Sequence, residues 1–166
     1  YTLYVDVTDI NGETHSQTTT VSVGYKSLRV GVPITNINRD QVPATGKEFQ
    51  INTTNLAGEF EKARGTIKIY SLKAPSRTFR TRLWQQADRT LYRREQYYQY
   101  FPYDQYENET NKYLWPRDKQ VFTFTYDTEQ KKTFIPENLH TWSPGEYVLE
   151  ITGTDTSGQE VKDVSY

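Results

Sequence analysis

One pattern is written twice in this sequence. Residues 1–12 read YTLYVDVTDING and residues 147–158 read YVLEITGTDTSG. Tyr1, Leu3, Thr8, Asp9 and Gly12 therefore recur as Tyr147, Leu149, Thr154, Asp155 and Gly158, at a constant offset of 146. Each copy alternates side-chain character and then reaches a Gly-containing turn, the pattern of a strand entering a hairpin. A domain's worth of sequence precedes the second copy and none precedes the first. The expectation is a tandem array of similar domains, with one whole repeat here and the tail of its neighbour. The boundary falls near residues 25–27.

In the first copy Tyr1, Leu3, Val5 and Val7 alternate with Thr2, Tyr4, Asp6 and Thr8, as in a half-buried strand. Asn11-Gly12 is the short hairpin signal, since both residues tolerate positive φ. The return strand is expected over roughly 18–25, with Thr19, Val21, Val23 and Tyr25 on one face. Residues 1–25 thus read as the C-terminal hairpin of a preceding domain, too small to be stable alone. Further short strands are expected at 28–32, 49–53, 65–70, 121–126, 132–135, 146–154 and 159–166, with loop chemistry over 36–47. Aromatics make up 14% of residues, including 14 Tyr, against 34% hydrophobic residues overall, so the core leans on rings and β-branched side chains. The fold expected for 26–166 is an all-β, antiparallel immunoglobulin/fibronectin-III-like sandwich. Tyr147, just inside a strand after Pro144-Gly145, stands where such sandwiches place a corner tyrosine bonded back to the preceding loop. The last strand should be short, leaving an edge partly unpaired that residues 1–25, of the same or a neighbouring molecule, are placed to cover.

Residues 74–119 form an insertion that no small sandwich requires. Arg77, Arg80, Arg82, Arg89, Arg93 and Arg94 crowd its first half, and Asp104, Glu107 and Glu109 its second. Thr90 reads as the cap of a helix over 91–101 stopped by Pro102, with Leu91, Tyr98 and Phe101 sharing a face. Arg among aromatics is a pattern of single-stranded nucleic-acid binding. The plainer reading is preferred at a net charge of −1: rings pack the insertion onto the sandwich while Arg heads pair with carboxylates. A carbohydrate platform is the stronger competitor. Trp84, Tyr97, Tyr103, Tyr106 and Trp115 are the candidate ligand or interdomain surface, and sugar binding requires them exposed and coplanar.

Reactive chemistry is sparse. Zero Cys removes disulfides, thiolate metal sites and Cys nucleophiles from this segment. His15 and His140 stand in unrelated contexts and read as solvated polar residues. Asp104, Glu107, Asn108 and Glu109 lack the spacing of a calcium loop and read as a solvated acidic turn. No apolar run approaches the roughly 18 residues of a membrane span. No catalytic residue, cofactor or metal is assigned, and an enzyme is not expected.

Gly65-Thr66-Ile67-Lys68-Ile69-Tyr70-Ser71-Leu72-Lys73-Ala74-Pro75, then Phe79-Arg80 and Arg82-Leu83-Trp84, are the distinctive segments. Phe101-Pro102 with Asp104, and Trp142 with Pro144-Gly145 and Tyr147, accompany them. With these the whole chain resembles the macroglobulin-like domains of the bacterial alpha-2-macroglobulin family, large envelope proteins that trap proteases. The family's thioester motif, Cys-x-Glu-Gln, has no counterpart here, so no reactive residue carries over. The resemblance implies a structural domain contacting its neighbours in one polypeptide and meeting proteases through the full-length protein. It implies a periplasmic or cell-envelope location, with any lipoprotein anchor elsewhere in that protein; the net charge of −1 and the lack of a long apolar run argue against nucleic-acid binding and membrane insertion by this segment.

Overall fold

Two layers of antiparallel strands enclose one apolar core. The computed structural model describes residues 1–34, 36–43, 45–80, 85, 89, 91–155 and 157–166. Its strands are β1 (Thr2–Thr8), β2 (Thr14–Thr20), β3 (Arg29–Gly31), β4 (Phe49–Gln50), β5 (Asn52–Thr54), β6 (Arg64–Leu72), β7 (Arg117–Asp127), β8 (Thr133–Phe134), β9 (Tyr147–Thr154) and β10 (Glu160–Ser165). Among the described residues, one short α-helix, α1 (Arg94–Tyr100), lies between β6 and β7. The first layer has the order β10–β9–β6–β7, and the second is built from the β3–β5 and β4–β8 pairs. The Ile51 amide donates to the Lys132 carbonyl at 2.7 Å, so 49–54 runs as one extended segment, flanked first by β8 and then by β3. This is the antiparallel all-β sandwich expected from the strand spacing.

Period-2 alternation places the core. Ile67 and Ile69 of β6 and Leu149 and Ile151 of β9 meet Leu28, Val30, Val32, Ile51 and Phe134 of the facing layer. Burying side chains of this size contributes about 2 kcal/mol each. Phe122 and Phe124 of β7 stack on Phe134 at 5.9 Å each, and Phe134 stacks on Phe49 at 5.6 Å. The opposite side of β9 is covered too. Its buried Glu150 is paired by Arg117, and by Lys162 at 2.9 Å, which compensates the desolvation of the carboxylate.

Gly65 allows β6 and β9 to approach closely, and Gly153 leaves room for Tyr126 and for Val30 of the facing layer. A Cβ on Gly65 would lie 1.8 Å from the Thr152 carbonyl oxygen, and a Cβ on Gly153 would lie 2.7 Å from the Tyr126 hydroxyl and 2.9 Å from Val30 Cγ1. The Tyr126 hydroxyl donates to the Thr152 carbonyl at 2.9 Å, and burial pushes its pKa up to about 12. Tyr147 is the corner tyrosine: its hydroxyl donates to the Ser143 carbonyl at 2.6 Å, and its ring lies 5.3 Å from Trp142.

Three hairpins share one turn, and it is not the two-residue Asn-Gly turn expected. Asp9, Asn55 and Asp155 each accept two backbone amides on one side-chain oxygen: Asn11 and Glu13, Ala57 and Glu59, Ser157 and Gln159. Among the described residues of these turns, positive φ is found at the glycine that follows, at 85° in Gly12, 89° in Gly58 and 80° in Gly158. The leading Asp or Asn therefore organises the turn, and Asn11 does not need the left-handed region.

The two copies of the repeat are paired in the same register. Adding 146 to each number converts the β1–β2 ladder into the β9–β10 ladder: Thr8↔Thr14 becomes Thr154↔Glu160, and Leu3↔Thr19 becomes Leu149↔Ser165. Their surroundings differ. Every residue of β1 and β2 is exposed, correcting the half-buried strand read from the alternation. The return strand is Thr14–Thr20 rather than 18–25, because the turn closes earlier. β10 has six residues and ends the sheet as an edge, which the hairpin leaves uncovered in this chain.

Candidate functional site

The insertion leaves β6 at Leu72 and returns at Arg117, where the Lys73 amide donates to the Pro116 carbonyl at 2.9 Å. Its helix is shorter than the periodicity suggests. Arg93 is the N-cap and α1 covers Arg94–Tyr100, so Leu91 lies outside it and is exposed. The expected cap, Thr90, lies outside the described residues, as does Trp84. None of the described residues between β6 and β7 is buried; Phe79, Tyr97, Tyr98, Tyr106 and Trp115 are half-buried and the other described rings are exposed, so the described rings do not join the sandwich core.

Those rings meet at angles. Tyr97 contacts Phe101 at 5.1 Å and 44°, Tyr106 at 5.4 Å and 66°, and Tyr98 at 6.1 Å and 73°. Tilted and edge-on contacts satisfy the ring quadrupoles and use up the faces that a flat ligand would need. Tyr97, Tyr106 and Trp115 are half-buried, while Tyr103 is exposed and makes none of these ring contacts. The Trp115 indole N–H donates to the Glu109 carbonyl at 2.7 Å, and the Tyr106 hydroxyl donates to the Tyr92 carbonyl at 3.1 Å.

The Arg heads pair with the acidic turn, as the plainer reading of the insertion expects, so the turn is engaged rather than solvated. Arg94 reaches Glu107 and Glu109 at 3.0 Å each, Arg80 grips Asp104 through two nitrogens, and the Tyr98 hydroxyl donates to Glu109 at 2.6 Å. Burial, joined by the bond to Glu109, pushes the Tyr98 phenol up to about 12. Burial alone would raise the Glu109 carboxyl; Tyr98, the Glu107 amide and Arg94 outweigh it and hold it below the usual carboxylate range. Arg77 sits over the Tyr98 ring at 4.4 Å. These charges brace one another and build shape.

Two further surfaces escape a reading of the insertion alone. A cleft of about 670 Å³ opens beside the corner tyrosine, lined by Ile37, Phe49, Leu139, Trp142 and Tyr147, with Lys112 and Glu146 paired at 2.9 Å on its rim. Only Trp142 and Tyr147 signalled it in sequence, as parts of the corner. The other surface is the hairpin. Tyr1, Leu3, Val5 and Val7 share one face of β1, and Val21 stands opposite Tyr1, all exposed. No family model, curated protein or solved structure matches this chain.

Proposed function

We propose that this chain is a structural interaction domain of a bacterial alpha-2-macroglobulin-like, protease-trapping envelope protein, its role being to hold neighbouring domains in place. The observation that carries the scaffold reading is the duplicated hairpin: one copy completes this sandwich, and the other, in the same register, stands outside it with its apolar face uncovered. A hairpin repeated in the same register is what consecutive sandwiches of shared design carry. The insertion fits the same role, since its Arg and acidic side chains pair internally and its rings pack at angles. The family assignment is supported by segments 65–75, 79–84 and 142–147.

The test is to incubate the protein translated from the complete reading frame with endopeptidases of different specificity. A complex that shields the protease from large substrates while sparing small ones is the expected result. Unimpaired cleavage of large substrates, with no complex on a native gel, would overturn the trapping role. Glycan-array binding by the 166-residue chain, lost in Trp115→Ala, would replace the scaffold reading with a sugar-binding one.

A further inference from the structure

The β1–β2 hairpin has a counterpart whose surroundings are visible, and that counterpart shows what its faces are shaped to meet. β9 pairs with β10 on one side and with β6 on the other, from Arg64↔Thr154 to Ser71↔Tyr147. Its Leu149 and Ile151 point into the core. Subtracting 146 places Leu3 and Val5 at these positions and Tyr1 at the corner tyrosine. Leu3 is 53% exposed against 3% for Leu149, and Val5 is 40% against 0% for Ile151. The free edge matches as well. Tyr1 and Val21 exchange both backbone bonds, so the odd-numbered amides of β1 face β2 and those of Tyr4 and Asp6 line the outer edge. Their counterparts are Glu150 and Thr152, on the edge of β9 that β6 occupies.

The place these residues would take in this sandwich is already filled, and it does not fit them. Val7 corresponds to Gly153, where even a Cβ would lie 2.7 Å from the Tyr126 hydroxyl and 2.9 Å from Val30. A second copy of this chain therefore rejects the hairpin at the same point. The connection to the sandwich also leads outward. Lys26 donates to the Glu160 carbonyl at 2.8 Å and Ser27 to the Asp155 carboxylate at 3.3 Å, so the hairpin departs from the pole where β9 turns into β10.

We propose that β1–β2 completes a second β-sandwich, different from this one, adding β1 antiparallel to that sandwich's equivalent of β6 and seating Tyr1, Leu3, Val5 and Val7 in its core. The partner is a module with the same sheet order and with room for a valine where this sandwich has Gly153. This deepens the scaffold reading and rests on it.

Amide hydrogen exchange tests it, comparing the 166-residue chain with the polypeptide translated from the complete reading frame. The Tyr4 and Asp6 amides should exchange rapidly in the former and about a hundredfold more slowly or beyond in the latter. Val5→Asp should restore rapid exchange in the complete polypeptide and leave the unfolding midpoint of the 166-residue chain unchanged. Equally rapid exchange in both proteins would overturn the proposal. So would slow exchange in the 166-residue chain with a concentration-dependent dimer, which would make a second copy the occupant. A lowered midpoint for Val5→Asp in the 166-residue chain would place the hairpin on its own sandwich and overturn it too. Protease complex formation is scored separately: slowed exchange without a complex retains the hairpin inference and removes the trapping role, and the reverse outcome does the opposite.

Discussion

β1–β2 and β9–β10 are one hairpin built twice, with the same register, the same Asp-led turn and the same alternation. One is the centre and edge of a four-stranded sheet; the other touches water on every residue. What separates them is what lies alongside. β9 has β6 at its edge and β3 across the core, whereas the outer edge of β1 pairs with no described strand. Local sequence thus specifies the shape of a hairpin, and its neighbours specify whether that shape stabilises anything.

The comparison breaks most easily at the matched core positions. Ile151→Ala should cost about 3 kcal/mol through lost burial and a residual cavity, while Val5→Ala in the same chain should stay within about 0.5 kcal/mol. Urea unfolding of both variants decides it, and equal losses would mean that β1 packs on the sandwich. Gly153→Val makes β9 resemble β1 and should cost about 2 kcal/mol, because its Cβ alone would lie 2.7 Å from the Tyr126 hydroxyl and 2.9 Å from Val30 Cγ1 in the packed core. Val7→Gly, the reciprocal change, should leave the sandwich's thermal midpoint where it was. The corner tyrosines come next. Tyr147→Phe deletes the bond to Ser143 and should cost about 1 kcal/mol, whereas Tyr1→Phe, whose ring is exposed, should be silent in the same melt.

The smallest effect is one of pH. The Glu13 amide, with help from the Asn11 amide and side chain, holds the Asp9 carboxyl below its usual 3.8. Because the folded value is depressed, the stabilisation of this turn is complete above pH 3.8 and is lost as pH falls through the folded value. The amide shifts of Asn11 and Glu13 should report that loss in acid, with the core of the sandwich still intact. A midpoint at or above 3.8 would show that the turn does not favour the carboxylate.

Much of the fold was legible because its strands are short, alternating and bounded by Gly, Pro and Asn turns. Leu28 to Val32, Phe49 to Thr53 and Gly65 to Tyr70 fell where expected, and so did the bond of Tyr147 to its loop. The hairpin turn was misread because Asn11-Gly12 taken as a dipeptide hides the side chain of Asp9, two residues back, which supplies the turn's bonds. Exposure of β1 was missed because alternation tells which face is apolar and not what covers it. The insertion misled differently. Leu91, Tyr98 and Phe101 share a helical spacing, but the helix begins at Arg94, and the rings satisfy each other locally without reaching the core. Pairing of the Arg heads with the acidic turn was legible, but not which Arg meets which carboxylate, since Arg80 meets Asp104 across 24 residues of sequence.

Amide exchange on the 166-residue chain, read at matched positions, tests the central claim most directly. Tyr4 and Asp6 of β1 should exchange about a thousandfold faster than Glu150 and Thr152, their counterparts on the β6-facing edge of β9. Comparable protection at the four positions in the monomeric chain would contradict it, by showing that β1 already has the neighbour that β9 has.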